Sequence, residues 1–508
     1  MKRKVPLRFF SVMVICSLTI APGGCLGDKQ GDEVLSSVIT VGIPQDIEDS
    51  LDPHRAVAAG TEEVLFNIFE GLVKPTSDGN LIPAIASEFH LAENGLVYTF
   101  TLREGVKFHD GSIVTVMDVV YSLKRCAAGE HGVPLVAAFV NLRDVFSLDE
   151  HTIEVHLHEP DNDFLAALTV AIIPAANDSP ARNPIGTGPY AYVSRSPQEN
   201  IILERFDDYW GEAAHIEKVV FKIIANTDMI VMELEGGSID MFARLTSSQA
   251  AELSSQFDIL EGTMNLVQGL FLNNAVPPFD NELVRQALSY ATDVEMIMLM
   301  VSDGKGTPIG SSMFPAFGKY FLEELAEVYS YDLEKAKELL ASAGFADGFS
   351  FTITVPANYL QHVDTAQILV EQYRALGVSV RIELVEWDSW LSDVFAGRNF
   401  EATIIGLTAS TLTARAILDF FYSESGRNFT NYHNHDFDMM FLRALASTDD
   451  EARTEYFKEC QRILTATAAS VFIQDLPEFV ALRKNFRGYE FYPLYVQDLS
   501  RIYLVDER

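Results

Sequence analysis

Twice in the second half of the chain a helical run stops at a glycine, and after the second stop a strand begins at once. Residues 332–343 end at Gly344 and residues 364–376 end at Gly377. Val378, Val380, Ile382 and Leu384 then fall on one side of an extended segment. Glycine just past a helix takes up the left-handed backbone that terminates it. Helix, glycine, strand is the order of layered α/β architecture. A chain of 508 residues exceeds what one core fills comfortably, so two or three lobes are expected.

Other elements can be placed the same way. Val38–Pro44 reads as a strand. Tyr98, Phe100 and Leu102 alternate with Thr99, Thr101 and Arg103, giving a second strand with one buried face. Asn94-Gly95 and Asp110-Gly111 supply turns on either side of it. Thr115 with Asp118 forms an acidic version of a capping box and predicts a helix start. His109-Asp110 therefore lies in a strand-to-helix turn, where Asp bonds its own backbone and Gly111 provides positive φ. The pair is read as a turn and not as a catalytic or metal-binding dyad. Residues 282–298 and 450–466 carry helical spacing. Asn183–Val193, dense in Pro and Gly, suggests a passage between lobes.

The N-terminus carries a different signal. Lys2, Arg3, Lys4 and Arg8 precede an apolar run, Phe9 to Ala21, too short to span a bilayer. Small residues follow, then Cys25. Residues 1–24 are read as a secretory leader, with Cys25 as the site of lipid attachment and residues 26–37 as a polar tether. No later apolar run reaches bilayer length, so the body is expected outside the membrane. Net charge is −35, which repels phosphates and argues against nucleic acid as a partner. Cys126 and Cys460 either pair in an oxidising compartment or sit as small buried groups, the second being favoured; no zinc spacing is present. His433/His435 and His156/His158 are spaced as metal ligands that would need other groups to converge on them; they are read as exposed loop and strand residues, and no metal and no cofactor is expected.

Several blocks occur in one order: "IFEGLVKP", "GLVYTFTLREGVKFHDG", "DVVYSLKR", "NPIGTGPY", "FDDYWG", "VRQALSYATD" and "FRGYEF". Together they resemble the family 5 solute-binding proteins of bacterial ABC importers, from about Val38 to Leu504. The resemblance implies a two-lobed, hinged α/β fold of the periplasmic-binding-protein type with an additional domain. Its implied bounds are 38–70 with 184–270 and 485–508 for the first lobe, 71–183 for the additional domain, and 271–484 for the second lobe. It implies a monomeric, lipid-anchored protein at the periplasmic or outer face of the cell membrane. Such a protein captures a peptide or other small solute and hands it to an ABC permease.

The resemblance also assigns candidate ligand contacts: Val57, Ala58, Ala59, Tyr359, Gln361, Trp387, Leu407, Ser410 and Arg415. Peptide-binding members hold the ligand's amino group with an Asp in a G-W-x-x-D segment. The matching segment here is "GLTAS", Gly406 to Ser410, with Leu407 for the aromatic and Ser410 for the acid. Serine cannot neutralise a buried ammonium, whose burial unpaired costs several kcal/mol. Val394 and Ile404 stand where oligopeptide binders often carry basic residues. The ligand is thus expected to be a peptide or peptide-like solute without a free-amine anchor, or else a sugar, opine or metal chelate. Serine-hydrolase, zinc-protease and phosphate-loop motifs are missing from the sequence. A non-enzymatic protein is expected, with a secreted hydrolase or a surface receptor or adhesin as rivals.

Overall fold

The computed structural model describes residues 37–47, 50–129, 134–161, 163–253, 255–409, 411–447 and 449–505. The expected leader, Cys25, most of the tether and Ser410 lie outside them. Residues 37–505 belong to one compact unit, in which two large sheets organise two lobes. The first lobe is a seven-stranded sheet centred on Val38–Ile43, which runs parallel to Lys218–Ile223 and to Met241–Phe242. Its inward-facing Ile39, Val41, Val219 and Phe221 are fully buried, while Val38, Thr40, Lys218 and Val220 between them are not.

The second lobe is a six-stranded sheet. Ser350–Pro356 and Ser379–Val385 pair in parallel, joined by the helix Leu360–Ala375. This crossover is the helix-glycine-strand unit read from the sequence, and Gly377 adopts φ +86°. The helix begins four residues before the expected 364, because Leu360–Val363 already face the cleft and the lobe core. The run expected as one helix over 282–298 is two, Glu282–Tyr290 and Val294–Ser302. Asp293 caps the second by accepting from Met296 N–H at 2.9 Å, and Thr292 bonds back to the first. A capping residue inside an apolar periodic run ends one helix and starts another.

A four-stranded antiparallel sheet, Ala86–Leu91, Val97–Leu102, Thr152–Leu157 and Leu142–Ser147, forms the additional domain. The helix Val116–Ala127 packs on it and opens with the expected Thr115–Asp118 capping box. The turn at Asp110-Gly111 forms as read: Asp110 Oδ1 accepts from Ser112 N–H, and Gly111 has φ +84°. His109 does more than fill the turn. Its Nδ1 accepts the Gly186 N–H at 3.2 Å and its Nε2 bonds the Gly188 carbonyl at 3.0 Å. Burial pushes the His109 imidazole down to about 4, which fixes the neutral form that can do both. The "FHDG" and "GTGPY" blocks are two halves of one clip between the additional domain and the first lobe.

The strands place the lobe boundaries differently from the expected 270 and 484. Val267–Leu272 already belongs to the second sheet, and Pro477–Arg483 belongs to the first. The chain crosses between sheets at Met264–Leu266 and again at Leu476. These two crossings lie side by side: Met264 N–H donates to the Leu476 carbonyl at 2.9 Å, and Leu266 N–H to Asp475 Oδ1 at 3.1 Å. Asn265 takes the left-handed conformation, φ +56°, open to Asn at modest cost. One residue separates the two buried runs Val471–Asp475 and Pro477–Arg483, so apolar periodicity alone reads straight through the crossing. Cys126 and Cys460 are both buried and unbridged, in different cores.

Candidate ligand-binding cleft

The local geometry of three strand ends builds the cleft. The loop after Val38–Ile43 carries Gln45 and leads to the short helix Ala59–Leu65. The segment after Met241–Phe242 carries Arg244. The loop after Ser350–Pro356 carries Asn358 and Tyr359, and the helix Leu360–Ala375 that follows carries Gln361. Ligand sites outside the ends of open α/β sheets follow from this topology. Residues of these segments line a cavity of about 660 Å³, whose wall also includes Val136–Ala138 of the additional domain. That volume suits a small solute.

Three hydrogen bonds cross the cleft. Gln45 Oε1 accepts from Asn358 Nδ2 at 2.7 Å and from the Tyr359 hydroxyl at 3.0 Å. Gln361 Nε2 donates to the Arg244 carbonyl at 2.8 Å. The lobes are therefore engaged with each other, in a closed arrangement. At the cleft floor the Arg244 guanidinium forks onto Glu63, at 2.6 and 3.1 Å. It lies 3.7 Å from Glu478 and covers the ring of Tyr495 at 3.6 Å. Burial pushes the Glu478 carboxyl up to about 7, with Arg244 opposing. The buried carboxylates in turn hold Arg244 firmly charged. His362 sits behind this wall, neutral, its Nδ1 accepting from Gln268 Nε2 at 2.9 Å; burial pushes it down to about 3.

The candidate residues named from the sequence mostly meet at this cavity. Val57, Ala58, Ala59, Tyr359, Gln361, Trp387, Leu407 and Arg415 all line it. Trp387 is half-buried, stacked on Trp390 at 5.2 Å and edge-on to Tyr359 at 5.5 Å. Leu407 is 4% exposed and turns mainly into the core of the second lobe. Arg415 Nη2 reaches the Ala137 carbonyl of the additional domain at 3.4 Å. Val394 and Ile404 are core residues. His433 bonds Ser423 Oγ, and His156 bonds Glu154. Among the described residues no group of three His, Cys, Asp or Glu converges as a metal site.

The sequence reading missed Gln45, Arg244, Asn358 and Arg427. Arg244 and its partners are separated by 181 residues or more along the chain, and no local pattern couples them. Gln45 carried a usable signal, a polar residue directly after an α/β strand.

Two lobes joined by adjacent crossings, with a cavity closed by side chains from both, define a two-lobed binding protein. The family model of bacterial extracellular solute-binding proteins, family 5 middle, matches residues 80–429. The chain belongs to this family, whose members are solute-binding proteins of ABC transporters, periplasmic or extracytoplasmic, and not enzymes. It is 26% identical, over 97% of each chain, to the oligopeptide-binding protein AppA of Bacillus subtilis. Among solved structures it resembles a dipeptide-binding protein from Pseudoalteromonas sp. SM9913 in complex with Met-Leu. That match has a TM-score of 0.84 and 23% identity, over 92% of this chain and 100% of the other. It also resembles AgaA from A. tumefaciens R10 with agropinic acid, at TM-score 0.82 and 23% identity, over 93% and 99%.

Proposed function

We propose that this protein is the lipid-anchored receptor of an ABC importer, capturing a peptide or peptide-like solute between its lobes and presenting the closed form to a membrane permease. The observation that carries this is the cavity whose walls come from both lobes, which Gln45, Asn358, Tyr359 and Gln361 bridge. A ligand that touches both walls stabilises the closed form by its differential affinity for it, and this is how capture becomes a signal to the permease. Val57 to Ala59, Tyr359, Gln361, Trp387, Leu407, Ser410 and Arg415 are the proposed contacts. Tyr359 and Gln361 serve closure as well as contact. The relatives named for oligopeptides and dipeptides support a peptide-like ligand. Cys25 is the proposed lipid attachment; one acyl chain holds a protein only marginally, so several are required.

A second reading, a non-peptide solute, is favoured by Ser410 in place of an anchoring acid and by the resemblance to a protein crystallised with agropinic acid. The test is to denature protein purified from its native host and identify the released compound by mass spectrometry. Mixed free-amine peptides would remove the second reading; a single sugar, opine or chelate would remove the first. A released compound chemically altered by the purified protein would overturn the binding role itself.

A further inference from the structure

Acids outnumber bases 72 to 37 in this chain, so an arginine finds a carboxylate easily. Arg125 pairs with Asp52, Arg195 with Asp46, Arg244 with Glu63 and Arg453 with Asp450. Arg285, buried with no such partner among the described residues, satisfies all three of its nitrogens with the carbonyls of Phe279, Thr467 and Ala468. Arg427 does neither. It lines the cavity, and its one side-chain hydrogen bond runs from Nη1 to the Ala416 carbonyl at 3.0 Å. Among the described residues it forms no ion pair, and its Nε and Nη2 have no protein acceptor. Arg427 is half-buried and a guanidinium offers five donors, so donors are left over for a ligand in the cavity.

Several acids in or beside the cavity wall are, by contrast, engaged. Glu70 accepts from Tyr209, Trp210 and Lys74, Glu63 holds Arg244, and Asp419 accepts from Ser425 Oγ. Burial pushes Arg427 down from the usual guanidinium range, opposed by Asp419 and Glu62 without contact. Arg415, one residue before Ala416, also lacks an ion pair among the described residues, where its one side-chain hydrogen bond is the long one to the Ala137 carbonyl. Arg427 lies over the Phe420 ring at 3.9 Å. From Phe420 a row of rings continues through Phe395 and Trp390 to Trp387, at centroid steps of 6.5, 6.1 and 5.2 Å.

We propose that the cleft selects its solute by an anionic group, a carboxylate or a phosphate, bound by Arg427 with Arg415 as second cation, while the solute's apolar or planar body lies along the aromatic row. Guanidinium and these oxyanions match in geometry as well as charge, and rings accept flat or apolar groups of many kinds. The inference deepens the solute-binding reading and rests on it.

The test compares the full-length wild type with Arg427→Gln, Arg427→Lys and Arg415→Gln, all purified from the native host. Bound compound is released by denaturation and identified. The emptied, refolded proteins are then titrated with N-acetyl-Ala-Phe, its C-terminal amide, phenyl phosphate and phenol. The expected result is an acidic compound released from the wild type and binding of the anionic member of a pair only. Arg427→Gln then binds that anion about 10- to 100-fold more weakly, the worth of a charged hydrogen bond, and Arg427→Lys recovers part of the loss. Preference for N-acetyl-Ala-Phe identifies a carboxylate, and preference for phenyl phosphate a phosphate. Release of a neutral compound, or equal binding of both members of a pair, would overturn the anion inference and leave the binding protein standing. So would unchanged affinity in an Arg427→Gln protein with wild-type melting behaviour. A wild type that releases nothing and binds none of the four probes would count against the binding role and the anion site together.

Discussion

Arg244 holds one positive charge between Glu63 and Glu478, and neither acid has another base in ion-pair contact among the described residues. Replacing it with Met leaves two buried carboxylates facing each other. Loss of about 3–5 kcal/mol is expected, as for breaking a buried pair, and urea unfolding measures it. Asp475 poses the opposite problem. Its Oδ2 is buried without a partner, and burial pushes the carboxyl up to about 8. Because the folded value lies above the unfolded 3.8, the folded state holds a proton that the unfolded state releases. The stabilisation is complete below about pH 4, declines as pH rises from there, and is gone above about pH 8. Asp475→Asn removes this titration, so the fall in stability across that window becomes shallower by up to one proton's slope. An unchanged slope in unfolding titrations at several pH values would show that Asp475 is ionised in the folded protein. Residue types at Ser410, Trp387 and Tyr359 could be read for chemistry directly. Arg427 could not, since its lack of a partner is a fact of three-dimensional surroundings.

At the scale of elements, the clip between the "FHDG" turn and the "GTGPY" segment shows what local reading reaches. Asp110, Gly111 and the Thr115 cap are short-range chemistry and were legible. That His109 reaches Gly186 and Gly188, 77 and 79 residues on, was not. Gly188 is required there because an added Cβ would come within 2.7 Å of the Ile68 backbone. His109→Ala is expected to cost about 1–3 kcal/mol through two lost hydrogen bonds. Hydrogen exchange should rise selectively at Gly186; uniform exchange across the additional domain would contradict a local clip. The helix expected over 282–298 failed for an equally local reason, since Asp293 caps a new helix within an unbroken apolar pattern.

For the whole molecule, the bonds from Gln45 to Asn358 and Tyr359 tie the lobes together across the cavity. Gln45→Ala removes both and shifts the balance toward an open form. Small-angle scattering of the ligand-free variant should show a larger radius of gyration than the wild type, with ligand restoring compaction. Identical profiles would mean that Gln45 does not govern closure. By itself the sequence determined the α/β layering, the turns and the caps, because these depend on neighbours within about one helix or hairpin, and the family, because its motif blocks keep their order along the chain. Tertiary structure alone decided where the lobes divide, at Met264–Leu266 and Leu476 and not at 270 and 484. It also decided which charges in the cleft are paired: Arg244 with Glu63 across 181 residues, and Arg427 with none among the described residues. Burial and ion pairing depend on groups brought together from distant parts of the chain, and no pattern along the sequence records that proximity.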